Sequence, residues 1–300
     1  MRISTNTSIL SNTMPTADAV KILAECGFSA LDLSLCNITD SDLQKLYGDY
    51  KAFAKEIKNV ANGAGVTFNQ SHAPFHSSYI EDELTQKAYT EICRAMEFAA
   101  LVDVKNIVVH PKQHLEYPEE AKVLKEMNLE FYNSLIPLCK EYGINVLVEN
   151  MWHYREGHII GSVCADPHEF CEYVDMLNSP YIKACFDIGH AELVKADIPN
   201  FINSLGDRLH GLHVHDVSVD NDLHTVPYFG AIKNWDNIMK ALADISYKGD
   251  LTFEVKSLKN LPDDLVKPRL QLLHLVGEEL VKKFEAFKYK GTLNVDCEIF

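Results

Sequence analysis

Two short stretches restrict what this chain can fold into. Cys185-Phe186-Asp187-Ile188-Gly189-His190 and His213-Val214-His215-Asp216 each set carboxylate and imidazole side chains at the end of an apolar, strand-like segment. In the first, Lys183 to Phe186 leads into Asp187, and Gly189 is expected to break the extended run just before His190. In the second, Leu209 to Leu212 leads into a His-x-His pair, and strand alternation puts His213 and His215 on one face. Donors that end successive strands meet only if the strands are parallel neighbours opening onto one pocket. A (β/α)8 barrel has that geometry, and its active sites lie at that end.

The remaining sequence supplies the other strands. Strands are expected at Arg2 to Thr5, Ala30 to Leu35, Val66 to Gln70, Asn106 to Val109 and Ile144 to Val148. Three more end at Asp187, at His213 and at Val255, the last running from Leu251. Helical stretches alternate with them: Ala17 to Cys26, a long one ending near Asn62, Asp82 to Leu101, Glu119 to Tyr142, one opened by Asp166-Pro167, Trp235 to Ile245, and Pro262 to Phe287. Trp152 to Cys164 and Asp216 to Lys233 are long loops, and both follow strands. The pattern predicts a single α/β TIM barrel over residues 1–287, with 288–300 as a C-terminal tail that could dock on a second subunit of a homo-oligomer. A doubly wound open sheet is the competing architecture, but no Gly-x-Gly-x-x-Gly follows the first strand.

Composition narrows the partners. A formal charge of −15 makes nucleic acid an unlikely ligand, since phosphate binding needs a basic footprint. No apolar run reaches the ~18 residues of a membrane span. Met1-Arg2-Ile3-Ser4 starts like a strand rather than a secretory signal, and the eight cysteines hold no Cys-x-x-Cys; a cytoplasmic protein with reduced thiols is expected.

At or beyond the strand ends stand His72, His110, Glu149, Asp187 with His190, His213, Asp222 with His224, and Glu254. Singly, each is a satisfied histidine or a helix-capping acid. Together they are oxygen and imidazole donors without a thiol, a set that suits Zn²⁺, Mn²⁺, Co²⁺ or Mg²⁺, one to three ions per chain. His215 is expected to support the ligands from behind. His114, His153, His158, His168, His210 and His274 fall outside the pattern and read as structural or solvent-facing. Lys256 shares a strand face with Glu254 and either holds a substrate phosphate or carboxylate or is a solvated strand-end lysine. Trp152, Tyr154, Tyr228 and Phe229 either wall a sugar site or pack their loops, and Arg155 is the one arginine near the mouth.

Val-Val-His-Pro, Val-Glu-Asn, Phe-Asp-Ile-Gly-His-Ala, His-Val-His-Asp, Asp-Leu-His-Thr-Val-Pro-Tyr-Phe-Gly and Phe-Glu-Val resemble the xylose isomerase-like TIM-barrel superfamily, from His72 to about Glu254. Its members include sugar and sugar-phosphate isomerases and epimerases, and endonuclease IV. The epimerase branch implies one divalent metal on Glu149, Asp187, His213 and Glu254, with the two glutamates as proton shuttles and His190 on the substrate. An arginine that branch would place after the strand-seven histidine is missing from Val217 to Asp222. The endonuclease branch implies three zinc ions on His72, His110, Glu149, Asp187, His190, His213, Asp222, His224 and Glu254. Its DNA-gripping loops should be basic, yet Asn37 to Gly48 and His76 to Glu83 are acidic.

The expectation is therefore a metal-dependent isomerase or epimerase of a small sugar, sugar phosphate or polyol derivative, acting by proton transfer through a metal-stabilised enediolate. Glu149 and Glu254 are the acid/base pair, and His190, Lys256 and Trp152 contact the carbohydrate. The alternative is an apurinic-site phosphodiesterase with a trinuclear zinc centre.

Overall fold

The computed structural model describes residues 1–75, 83–113, 115–256, 258 and 260–296. Residues 76–82 and His114, Ile299 and Phe300, to all of which the sequence reading gave a role, lie outside that range. So do the side chains of Leu293 and Val295.

The strands are β1 Ile3–Asn6, β2 Ala30–Ser34, β3 Thr67–His72, β4 Asn106–Val108, β5 Asn145–Glu149, β6 Trp152–Arg155, β7 His158–Gly161, β8 Ile182–Asp187, β9 Leu209–His213 and β10 Leu251–Phe253. The helices are α1 Ser8–Ser11, α2 Thr16–Glu25, α3 Asp40–Tyr47, α4 Tyr50–Ala64, α5 Glu83–Leu101, α6 Ala121–Tyr142, α7 Pro167–Leu177, α8 Ile188–Leu193, α9 Ile198–Leu205, α10 Trp235–Asp244 and α11 Asp263–Asp296. Eight strands form one parallel sheet in the order β10-β1-β2-β3-β4-β5-β8-β9. A parallel bridge from Val214 to Phe253 closes it, with Val214 N–H donating to the Thr252 carbonyl and Glu254 N–H to that of Val214. The result is the expected (β/α)8 TIM barrel.

Apolar residues from both layers meet between strands and helices, where Phe98, Phe170, Phe186, Phe201, Phe253 and Trp235 are all buried. This is the main stabilising burial, ~25 cal/mol for each Å² of apolar surface removed from water. Inside the barrel a separate small cluster, Val108, Leu147 and Cys185, forms a floor. Among the described residues no helix is long and apolar enough to cross a membrane.

Three local expectations change. Trp152 to Cys164 is not a plain loop: β6 and β7 pair antiparallel, Trp152 opposite Gly161 and Arg155 opposite His158. Glu156 (φ +49°) and Gly157 (φ +84°) form the turn, both in the left-handed region that a tight hairpin requires. Gly189 does not interrupt a strand; it sits inside α8, which starts immediately after Asp187 and is capped by the Asp187 side chain accepting from His190 N–H. The last helix does not stop at Phe287 but continues to Asp296.

Candidate metal centre

Strand register brings the donors together. Each of four strands turns a small or apolar residue inward two positions before a donor: Val108 before His110, Leu147 before Glu149, Cys185 before Asp187 and Gly211 before His213. A β-carbon at Gly211 would stand 2.5 Å from Leu147 Cδ1, so glycine leaves the space that Leu147 needs to complete the floor. Period-two alternation then puts all four donors one layer higher, on the pocket side.

His213 is at the centre of that layer and is fully buried. Its Nδ1 lies 2.9 Å from Glu149 Oε1, 3.4 Å from Glu254 Oε2 and 3.9 Å from Asp187 Oδ2. Glu149, Asp187, His213 and Glu254 each offer an atom within 4.8 Å of the others. Behind the ring, Nε2 faces Asp32 Oδ2 at 3.4 Å. Asp32 is itself buried and accepts from Asn6 Nδ2 and Gln70 Nε2, both at 3.2 Å. A carboxylate there orients the imidazole and raises its donor strength. The sequence reading missed Asp32; its only signal was an acid on a strand buried along its whole length, which must find partners.

Beside this group, His72 Nε2 and His110 Nε2 face each other at 3.1 Å. Glu149 Oε2 lies 3.0 Å from His110 Nε2 but without hydrogen-bond alignment, and it is buried. His72, Glu149 and His213 form a second set of converging donors. A third comprises His190, His215, Asp222 and His224. Asp222 Oδ2 lies 3.1 Å from His224 Nε2 and 3.6 Å from His190 Nε2, while the His215 and His224 rings stack at 3.9 Å. His215 therefore does more than expected: it joins this third set and contacts Asp187 through Nε2 at 3.0 Å.

Tautomers show what the imidazoles are set up to do. His72 Nδ1 is 2.8 Å from the Ala73 carbonyl, His190 Nδ1 2.9 Å from that of Asn150, and His224 Nδ1 2.8 Å from that of Glu254. A carbonyl only accepts, so each Nδ1 carries the hydrogen. In the neutral ring, each Nε2 then aims a lone pair at the carboxylates. Lone pairs and carboxylate oxygens converging on the same points fit a divalent cation, in the Zn²⁺, Mn²⁺, Co²⁺ or Mg²⁺ class.

Electrostatics agree. Burial alone would lower the imidazoles, but Asp187, Asp222 and Glu149 raise His190 to about 10, and Asp222 and Glu254 raise His224 to about 9. Burial would likewise raise Glu149 and Asp187, yet His213 and His110 hold the first low, and His190 and His215 the second. The carboxylates require nearby positive charge, from protons or from a cation that displaces them. A histidine with a raised folded pKa contributes stability that is complete below its ordinary value of ~6.5 and lost as pH climbs to the folded value. Metal-free protein should thus lose melting temperature between about pH 7 and 9.5. Bound Mn²⁺ should grow tighter over the same range and flatten that decline. Melting curves across pH, with and without Mn²⁺, check this; a metal-free curve that stays level would contradict it.

Above the donors lies a cleft of about 430 Å³. The β6–β7 hairpin forms part of its wall through Trp152, His153 and Tyr154. Trp152 Nε1 donates to Asp222 Oδ2 at 3.2 Å, tying the hairpin to the loop after β9. His153, expected to be structural or solvent-facing, is on this wall. Phe75, Asn37 and Gln113 also line the cleft and were not anticipated; an aromatic just past the strand-end donor His72 was the available hint. Lys256 is exposed and outside the wall. Arg155 turns away, its Nη1 on Glu119 at 2.8 Å and on the Tyr117 carbonyl at 3.3 Å. Tyr228 packs near Trp235, and Phe229 lies under the Arg269 guanidinium, so neither reaches the cleft. Of the other histidines, His274 packs edge-on against Phe28 and His158 is exposed.

Comparison with known proteins agrees with this architecture. The family described as xylose isomerase-like TIM barrel matches residues 20–273. An uncharacterized protein of Methanocaldococcus jannaschii is 27% identical over 221 residues, 71% of this chain and 72% of that protein. Among solved structures, a D-tagatose 3-epimerase-like protein superposes with a TM-score of 0.75 at 21% identity, covering 97% of this chain and 100% of that one. An AP endonuclease, family 2, from Brucella melitensis superposes with a TM-score of 0.65 at 17% identity, covering 86% and 93%. At such identities the two structures speak for the fold alone.

Proposed function

This chain belongs to the xylose isomerase-like TIM-barrel family, and from that premise we propose that it is a divalent-metal-dependent isomerase or epimerase of a small sugar, sugar phosphate or polyol derivative. The observation that carries the reading is the pair of carboxylates flanking one histidine, Glu149 at 2.9 Å and Glu254 at 3.4 Å from His213 Nδ1. Moving a proton beside a carbonyl requires a base, an acid to return the proton, and positive charge where the oxyanion develops. Glu149 and Glu254 are the acid/base pair. His190, its Nδ1–H fixed on the Asn150 carbonyl, orients the substrate through Nε2. Trp152 offers it an indole surface. A divalent cation held by Glu149, Asp187, His213 and Glu254 would supply the Lewis acidity. The epimerase-like name of one structural neighbour points the same way.

The competing reading is a phosphodiesterase with three metals, and His190, Asp222 and His224 beside His72 and His110 are what favours it. Solvent exchange separates the two. Metal-loaded protein in deuterium oxide should place deuterium next to the carbonyl of one or more ketoses or ketose phosphates, with about one metal per chain. Incision of an abasic duplex, three metals per chain and no exchange would replace this reading with the other.

A further inference from the structure

We infer that Asp216 is a positioning residue: its buried carboxylate clamps the loop between β9 and α10, and so sets where Asp222 meets the β6–β7 hairpin. The clamp itself is a matter of geometry; only its use in catalysis rests on the isomerase reading.

After β9 the chain returns to Asp216 twice. Residues 217–224 form a first lobe, closed by Asp216 N–H donating to the Thr225 carbonyl at 2.8 Å and Thr225 N–H donating back to that of Asp216 at 2.9 Å. Residues 226–231 form a second, and there the side chain closes the loop. Asp216 Oδ1 accepts from Val217 N–H at 2.9 Å and from Ile232 N–H at 3.0 Å, while Ala231 N–H donates to the Val217 carbonyl at 2.7 Å. Asp216 is fully buried, and hydrogen bonds to a carboxylate away from water are among the strong ones. The fit is close. A β-carbon at Gly230 would lie 2.3 Å from Asp216 Oδ1 and 2.4 Å from the Val217 carbonyl oxygen, so the returning chain passes where a side chain would collide.

The first lobe carries two of the candidate donors. His224 has φ +44°, a left-handed conformation that a residue with a side chain holds only when its surroundings impose it. On one side Thr225 is bound both ways to Asp216; on the other, the His224 carbonyl accepts from Lys256 N–H at 2.8 Å. Two residues earlier, Asp222 Oδ2 meets His224 Nε2 at 3.1 Å and accepts from Trp152 Nε1 at 3.2 Å. Asp216 is not among the residues lining the cleft, so it acts through this loop: it holds Val217, Thr225 and Ile232, and the lobe between them presents Asp222 to the hairpin. A single oxygen makes the side-chain part of the clamp. Asp216 Oδ2 is buried without a hydrogen-bond partner among the described residues. Asparagine that keeps Oδ1 therefore keeps every bond, and alanine keeps neither side-chain bond.

The test is Trp152 fluorescence of metal-free full-length protein. The chain has two tryptophans, and Trp235 is buried with an indole N–H that has no partner among the described residues. Trp235→Phe thus loses no hydrogen bond and leaves Trp152 as the one tryptophan emitter. In that background Asp222→Ala sets the scale for a released hairpin: red-shifted emission and freer quenching by acrylamide. Asp216→Ala and Gly230→Ala should each produce most of that change, and Asp216→Asn should match the background protein. Every variant is read at a temperature where circular dichroism shows it folded, so a general loss of stability does not register. In Mn²⁺-loaded protein, deuterium exchange into a panel of free ketoses should fall about 10–100-fold in Asp216→Ala, as when a group supporting the ligands is lost, and recover in Asp216→Asn. Trp152 unmoved in Asp216→Ala and Gly230→Ala, or Asp216→Asn as defective as alanine, overturns the inference and leaves the isomerase reading in place. Full exchange from a variant whose hairpin is released also overturns it. A hairpin released in the expected order, in a protein whose wild type exchanges no ketose, upholds the clamp and removes the isomerase reading.

Discussion

Glu149→Gln is expected to cut solvent-proton exchange and turnover by at least about 10³-fold, within the range removed with a positioned acid or base. The substitution keeps shape and takes away charge, and charge is what the surroundings respond to. Glu149 is buried, with His213, His110, His190 and His72 within 4 Å of its carboxylate. An amide cannot balance those rings in metal-free protein, so a stability loss of about 3–5 kcal/mol is also expected, as for other broken buried pairs. Glu254→Gln distinguishes chemistry from folding. That side chain is 20% exposed at the mouth, so exchange should fall as steeply while the metal-free melting temperature changes far less. Deuterium incorporation followed by NMR, beside thermal melts of both variants, reads the two effects separately. A Glu149→Gln protein that retains more than about a tenth of wild-type exchange would remove the glutamate from the mechanism.

Gly189→Ala should do more damage than its size suggests. A β-carbon at this position would lie 2.0 Å from His215 Cε1 and 2.4 Å from His215 Nδ1. The ring has nowhere to go, because it is buried, held 3.0 Å from Asp187 and stacked on His224. Either His215 leaves its partners or α8 shifts and takes His190 with it. Overpacking of ~1–3 kcal/mol and a lost hydrogen bond to a charged group of ~1.5–3 kcal/mol put the melting temperature on the order of 5–10 °C lower. Removing the obstacle should restore part of the loss, so Gly189→Ala with His215→Ala should melt above the Gly189→Ala single variant. Such non-additivity is the mark of two groups in direct contact. A single variant that melts like wild type would show that the ring can be accommodated elsewhere.

How much of this was legible in the chain depended on the range of the interaction. Strand-end donors were readable because alternation is local: once Val146 to Val148 reads as a buried strand, Glu149 must follow at its end. Glu149, Asp187, His213 and Glu254 accordingly arrive at one place. Asp32 needed knowledge of what packs behind His213, a contact spanning 181 residues that no periodicity encodes; alternation pointed to His215 as a support but not to its contact with Asp187, 28 residues away. The β6–β7 hairpin left a faint trace in Glu156-Gly157, but β6 alternates over only four residues, Trp-His-Tyr-Arg, and β7, His-Ile-Ile-Gly, does not alternate. Gly189 was read for its backbone freedom when its missing side chain was the point.

The layer of Val108, Leu147, Cys185 and Gly211 beneath the donors has a practical corollary. Each of these residues stands two positions before a catalytic or ligating candidate that lies at or just past the end of the same strand. A bulkier or smaller side chain in that layer would push or drop the group above it by a fraction of an ångström without touching any reactant. Mutational scans of this barrel would score such positions as though they took part in the reaction. Engineers who want a new specificity should leave that stratum alone and work at the rim.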